Sequence, residues 1–267
     1  MDRAAIAEHI ARKLEASLDE YKRDYHASKS PLATHFVSIP SLLPDDLARQ
    51  IYGAFPQPTT MRRMSSMHER KYTLKQLRSA PLVEECTFAF QHPRVVKVVE
   101  QITGSKALIP DERLYAGGIS SMARGDYLHP HIDNSHDSER RLFRRLNLLY
   151  YMTPEWQVTN GGNLELWDDG VRERVTVPSS FNTLVIMETN KRSWHSVSEI
   201  RADEVRCCVS NYYFSRESPD GSDYFHITFF SAPPEKPVRR ALARMDGHAR
   251  MLLRRVKRAG FAKKDYY

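Results

Sequence analysis

The apolar residues of this chain change period near Pro110. Before that point they recur every three or four positions: Ile6, Ile10, Leu14, Leu18, Tyr21 and Tyr25 in the first 30 residues predict an amphipathic helix. His35 to Ile39 is a short strand-like run. Pro44-Asp45-Asp46 then opens a helix with acids in its first turn, and Leu47, Ile51 and Phe55 line its buried face. Residues 56–80 are polar and read as irregular. Val95, Val98, Val99 and Ile102 predict a helix from Pro93 to Thr103, ended by Gly104. Beyond Pro110, short β-rich runs alternate with turns: Leu114–Met122, Leu128–Ile132, Leu146–Met152, Asn163–Trp167, Glu173–Val177, Thr183–Met187, Ser193–Val197 and Arg206–Phe214. Short strands at that spacing predict a β-sandwich or barrel, and Asn160-Gly161 is a hairpin-turn signal. From Pro237 helical spacing returns on Val238, Leu242, Met245, Leu252 and Val256. The expected fold is mostly β with flanking helices, in one domain. A helical N-terminal layer (1–110) covers a sheet core (111–216), followed by a C-terminal loop and basic helix (217–267).

Composition narrows this picture. Among 267 residues, 41% are hydrophobic, enough for a packed core. The three cysteines, Cys86, Cys207 and Cys208, make no disulfide framework. Adjacent on a strand, Cys207 and Cys208 should point to opposite faces. A reducing, cytoplasmic setting fits. Residues 1–30 contain no apolar signal-peptide core, and no stretch approaches the ~20 apolar residues of a membrane span. The net charge of +7 is concentrated: residues 237–267 carry ten Lys/Arg against Asp246 and Asp265, and the remaining 236 residues sum to −1. The basic helix is therefore a candidate surface for a homodimer contact or an anionic partner. Its apolar positions are expected to pack on the barrel or on a second subunit.

Candidate chemistry lies in H-I-D at 131–133 and in W-H-S-V at 194–197. Two imidazoles and one carboxylate on one face of a metal form the facial triad of non-haem Fe(II) oxygenases, which leaves the opposite positions open. Alternate strand residues share a face, so His131 goes with Asp133. Arg145, Asn147, Leu149 and Tyr151 form a second set, and Arg206, Cys208, Ser210 and Tyr212 a third. So many inward polar residues imply a ligand-holding cavity, because an unpaired buried polar group is costly. An Arg deep in a barrel needs an anion, and Arg206 could grip the far carboxylate of a dicarboxylate. Pairing with Asp203 or Glu204 at the strand start is the bland alternative. Another is a His₃ zinc site of His129, His131 and His195 in a cupin-like barrel. A third is a non-catalytic scaffold whose basic tail does the binding.

Five blocks, in order, carry a resemblance: G-D-Y-L-H-P-H-I-D-N, R-L-N-L-L-Y-Y-M, W-x4-G-G-N-L-E-L-W, W-H-S-V and R-C-C-V-S-N-Y-Y-F-S. From about Leu114 to Ser215 the chain resembles the prolyl-hydroxylase branch of the 2-oxoglutarate/Fe(II)-dependent dioxygenases. The resemblance implies a double-stranded β-helix, the cupin-like jelly roll. It implies Fe(II) held by His131, Asp133 and His195, with 2-oxoglutarate and O₂ as co-substrates and ascorbate as a reductant. Arg206 would bind the C5 carboxylate of 2-oxoglutarate and Tyr151 would add its hydroxyl. Asn147 and Tyr127 would line the pocket, and Arg144 or Arg145 falls where the family sometimes contacts substrate. A solvated charge run (Arg140, Arg141, Arg144, Arg145) is the competing reading. The implied reaction hydroxylates an unactivated C–H and releases succinate and CO₂. Asp133 argues against halogenating relatives, whose carboxylate position is small. Tyr212 replaces a second Arg typical of nucleic-acid demethylases, which weighs against nucleic acid as a partner. The peptide-binding extensions of collagen-type enzymes are not matched. A small molecule is therefore slightly favoured over a side chain of a macromolecule. Residues 56–80, 134–144 and 153–162 are the loops expected to select it.

Overall fold

A computed structural model describes residues 1–28 and 32–256. Helices come first. The predicted N-terminal helix is two helices, α1 (Arg3–Ala16) and α2 (Leu18–Ala27), separated at Ser17, whose φ of −131° and ψ of 37° leave the helical region. Ile6, Ile10 and Leu14 of α1 and Tyr21 and Tyr25 of α2 are buried, as their spacing requires. α3 (Asp45–Gly53) buries Leu47 and Ile51, and α5 (Pro93–Thr103) ends at Gly104 in the left-handed conformation (φ 73°) that favours glycine. α4 (Pro81–Ala89) has no counterpart in the sequence reading; at nine residues it buries Val83, Cys86 and Ala89, too few for a clear period.

Among the described residues thirteen strands follow or interleave: β1 (Phe36–Ile39), β2 (Arg62–Ser65), β3 (Glu69–Leu74), β4 (Ile109–Pro110), β5 (Gly118–Met122), β6 (Tyr127–Ile132), β7 (Phe143–Tyr151), β8 (Leu164–Trp167), β9 (Arg174–Val177), β10 (Thr183–Glu188), β11 (His195–Val197), β12 (Arg206–Ser215) and β13 (Phe229–Phe230). They pair antiparallel in the order β1-β10-β7-β12-β5-β3-β6-β11-β8-β9, with β2 on β3, β4 on β12 and β13 on β6. The result is the expected nearly closed, barrel-like jelly roll flanked by helices. Alternation sorts its two faces. Leu146, Leu148, Tyr150, Ile186 and Val209 join the helices in one apolar core, whereas Tyr151, Val185, Met187 and Cys208 pack inside the barrel with Leu164 and Leu166. Cys207 and Cys208 fall on opposite sides as anticipated. Asn182 (φ 55°) ties sheet to helices: it accepts from the Leu43 amide and the Tyr150 hydroxyl and donates to the Leu43 carbonyl.

Two expectations fail for local reasons, and a third fails in one of its two alternatives. Residues 56–80 contain the β2–β3 hairpin; its strands are polar on both faces and so show no apolar alternation. Asn160-Gly161 is not a hairpin turn. It ends a 3-10 turn in the crossover from β7, which pairs with β10 and β12, to β8, which pairs with β9 and β11. The C-terminal helix α6 (Pro237–Val256) does form, seating Gly247 against the Phe229 ring, yet Val238, Leu242, Met245 and Leu252 face outward, not onto the barrel. Lys257, Arg258, Lys263 and Lys264, part of the basic tail, lie outside the described residues. Among the described residues no helix is long and apolar enough to cross a membrane.

Candidate active site

Two bulges aim the site. His195 of β11 pairs with His131 and Val197 with Leu128, so β6 spends three steps where β11 spends two. The extra residue, beside Pro130, breaks parity: Leu128 and His131 both line the interior cavity. Tyr127 and His129 are left off the cavity lining, their rings stacked on each other at 4.6 Å. Similarly, Tyr213 pairs with Leu146 and Phe214 with Arg144, which makes Arg145 the extra residue of β7. Arg144 thereby turns inward and Arg145 away, toward the Ser215 hydroxyl at 3.3 Å.

His131, Asp133 and His195 meet at one end of the cavity, each offering a ligand atom within 4.8 Å of the others. Asp133 oxygens stand 3.6 Å from His131 Nε2 and 3.7 Å from His195 Nε2. Each ring is oriented from behind. His131 Nδ1 donates to the His129 carbonyl at 3.0 Å and His195 Nδ1 to the Ser193 carbonyl at 2.9 Å. A carbonyl can only accept, so both Nδ1 atoms carry the proton and both Nε2 lone pairs face the shared point. Burial, helped by the neighbouring His195, drives the His131 pKa down to about 3, which keeps that ring neutral. Burial alone would raise the Asp133 pKa. The Arg144 guanidinium, aided by His195, His131 and the Asn147 amide, overcomes it and holds the carboxyl well below the usual carboxylate range.

Arg144 is therefore no solvated charge. It is 3% exposed, its Nη1 is 3.0 Å from Asp133 Oδ2, its Nη2 donates to Asn134 Oδ1 at 2.8 Å, and its Cζ lies 4.4 Å from the Tyr212 ring centroid. Asn147 donates to the same Oδ2 at 2.8 Å. Both residues steer the carboxylate, a role the sequence reading did not foresee for either.

Arg206 lines the same cavity at 3% exposure. Neither Asp203 nor Glu204 pairs with it; Asp203 is engaged by Arg124 at 2.6 Å. Arg206 Nη2 meets the Met122 sulfur at 3.1 Å, and its Nε has no hydrogen-bond partner among the described residues. The buried Tyr151 ring lies 5.3 Å from its Cζ. Gly162 makes room for this arrangement, since a Cβ there would sit 2.8 Å from Arg206 Cδ. A buried guanidinium without an anion is costly, so the site fits a carboxylate ligand; the donor set of two imidazoles and one carboxylate fits ferrous iron. His129 is absent from the ligand cluster, which removes the His₃ zinc arrangement.

The cavity, about 320 Å³, is lined on one side by the β2–β3 hairpin. Arg62, Met64, Glu69, Lys71, Thr73 and Lys75 all line it, none of them singled out in the sequence. The only signal available was that 56–80 is the one of the three suspected loops to reach the cavity; residues 134–144 and 153–162 do not line it.

Residues 117–214 match the family described as the 2OG-Fe(II) oxygenase superfamily. Prolyl 3-hydroxylase OGFOD1 of Xenopus laevis is 34% identical over 98 residues, covering 33% of this chain and 19% of that protein. The mouse (Mus musculus) protein of the same name is 29% identical over 138 residues, covering 45% and 24%. The chain thus spans less than a quarter of the length of these curated relatives. A prolyl-4-hydroxylase from Pseudomonas putida superposes with a TM-score of 0.54 at 16% identity, over 76% of this chain and 99% of that one. The matched segment holds the triad, Arg206 and the strands that carry them; over it the chain is similar to the 2OG-Fe(II) oxygenase superfamily, and its fold is like that of the prolyl-4-hydroxylase.

Proposed function

We propose that this protein is a 2-oxoglutarate-dependent dioxygenase that converts an unactivated C–H of its substrate to C–OH, with one O₂ and one 2-oxoglutarate giving succinate and CO₂. The observation that carries this reading is the union, in one cavity, of three convergent ligand atoms and a buried Arg206 with no carboxylate partner among the described residues. His131, Asp133 and His195 would hold Fe(II). When bound, the metal supplies the chelation of 2-oxoglutarate and the activation of O₂.

The chain's own residues do the rest. The two Nδ1–H···O=C bonds fix the imidazole planes, and Arg144 with Asn147 occupies one side of the Asp133 carboxylate. Arg206 would neutralise the far carboxylate of the co-substrate, with Tyr151 donating beside it. Apolar walls from Met122, Leu128, Leu149, Leu164 and Val197 exclude water from the reacting carbon. All three cysteines are buried and free, which suits the cytoplasmic setting we infer.

The substrate reading stays with a small molecule. A prolyl side chain is the second reading, favoured by the names of the relatives. The test is succinate release from 2-oxoglutarate by the Fe(II)-loaded protein, with His131→Ala as blank, across free amino acids and other small molecules and across prolyl peptides. Stimulation confined to prolyl peptides would favour the second reading. No turnover under any condition would end the oxygenase reading.

A further inference from the structure

The outer wall of the cavity carries more positive charge than iron and co-substrate use. Fe(II), Asp133, Arg206 and the two carboxylates of 2-oxoglutarate are together neutral. Beyond them, the inward face of the β2–β3 hairpin adds Arg62 and Lys71, Lys75 follows on the same wall, and Glu69 is the only hairpin carboxylate lining it. Strand alternation divides the hairpin by task. Arg63, on the other face, forks onto Asp126 at 2.7 and 2.6 Å, and Arg70 lies over the Tyr127 ring. The inward cations sense one another. Burial lowers the Lys75 pKa; Asp111 opposes that fall, while Arg144, Arg62 and Lys71 deepen it. Lys71 and His131 line the same cavity. Like charges gathered in a low-dielectric cleft repel, and focus an attractive field for an anion.

We propose that the inward face of this hairpin recognises an anionic group, a carboxylate or phosphate, on the substrate itself, with Lys71 as the principal contact. This rests on the oxygenase reading for the statement that the bound molecule is then oxidised. Glu69 is the built-in competitor. It holds Lys71 at 3.0 Å in the absence of substrate and must yield it to the incoming anion. That competition separates a binding role from a purely structural ion pair. If Lys71 and Glu69 only brace the hairpin, removing either should have the same sign of effect. If Lys71 binds an anion, removing Glu69 should strengthen binding and removing Lys71 should weaken it.

The experiment uses the full chain loaded with Ni(II) and saturating 2-oxoglutarate, so that Arg206 is already engaged. Phenyl phosphate, benzoate and phenol are titrated by calorimetry. The expected result is one site for an anion and none for phenol, weakened about tenfold in Lys71→Met and tightened in Glu69→Gln. The tighter of phenyl phosphate and benzoate identifies which anion the wall prefers. Equal binding of phenol, no dependence on Lys71, or weakening in Glu69→Gln would each overturn the inference. Basal succinate release by the Fe(II)-loaded protein is measured alongside. Its absence defeats the oxygenase reading; its presence together with anion-blind binding defeats this inference alone.

Discussion

The two ends of the cavity are built on different principles. At the inner end every functional group is buried or nearly so and has a defined setting, given to His131 and His195 by backbone carbonyls, to Asp133 by Arg144 and Asn147, and to Arg206 by the space that Gly162 leaves. At the outer end, on the β2–β3 hairpin, side chains are half-buried or exposed and both faces of each strand are polar. The first arrangement fixes geometry at the cost of tolerance, because a buried charge that loses its partner is strongly destabilising. The second tolerates substitution, since partly exposed ion pairs contribute little to stability. Chemistry common to a family belongs at the rigid end and substrate choice at the permissive one.

The largest effect that contrast predicts is at the ligands. Asp133→Ala or His195→Ala should abolish iron retention and bring succinate release to the level of the metal-free protein. Metal content after gel filtration checks it, and retained iron would place the metal elsewhere. Next comes Arg206→Met, which should raise the Kd for 2-oxoglutarate roughly a hundredfold while leaving iron affinity unchanged. Because the guanidinium has no carboxylate partner among the described residues, the variant's melting temperature should not fall. A large loss of stability would mean that Arg206 is paired structurally. Arg144→Met should weaken iron binding about 10–100-fold through the released Asp133 carboxylate. Unchanged iron affinity with a raised substrate KM would instead move Arg144 to the outer, substrate-selecting end.

The sequence exposed the inner end well and the outer end poorly, for physical reasons. Apolar period located most strands and helices, and residue types at fixed spacing pointed to His131, Asp133 and His195, which converge, and to Arg206 and Tyr151, which line the same cavity. Tyr127 and Arg145 lie off the cavity lining because alternation assumes a regular ladder. One inserted residue in β6 and one in β7 shift the face of everything beyond it, and a bulge leaves no compositional mark. The same shift brought Arg144 inward out of what reads as a solvated charge run. The β2–β3 hairpin escaped because amphipathic alternation needs one apolar face, and a wall between ligand and solvent has none. Asn160-Gly161 misled in the opposite way. Gly161 is needed where a Cβ would strike the Glu199 carbonyl at 1.9 Å, a close-approach requirement that imitates a turn signal.

Two smaller predictions sharpen the contrast. Gly162→Ala places a Cβ 2.8 Å from Arg206 Cδ and 2.4 Å from Ile200 Cδ1 at a positive φ. It should raise the 2-oxoglutarate KM and destabilise the fold by about 1–3 kcal/mol, measured by kinetics and chemical denaturation. An unchanged KM would mean that Arg206 is not held from this side. At the far end of the scale, Met245→Glu on the exposed face of α6 should change monomer stability by less than about 0.5 kcal/mol. A larger loss, dependent on protein concentration, would show that this face is covered by a second copy.

The central claim is most directly tested by anomalous diffraction from crystals grown without O₂ in the presence of Fe(II) and 2-oxoglutarate. The account predicts a single iron peak within bonding distance of His131 Nε2, the Asp133 carboxylate and His195 Nε2, with the C5 carboxylate of 2-oxoglutarate against Arg206. Iron bound away from that trio, or Arg206 still without an anion beside it, would contradict it.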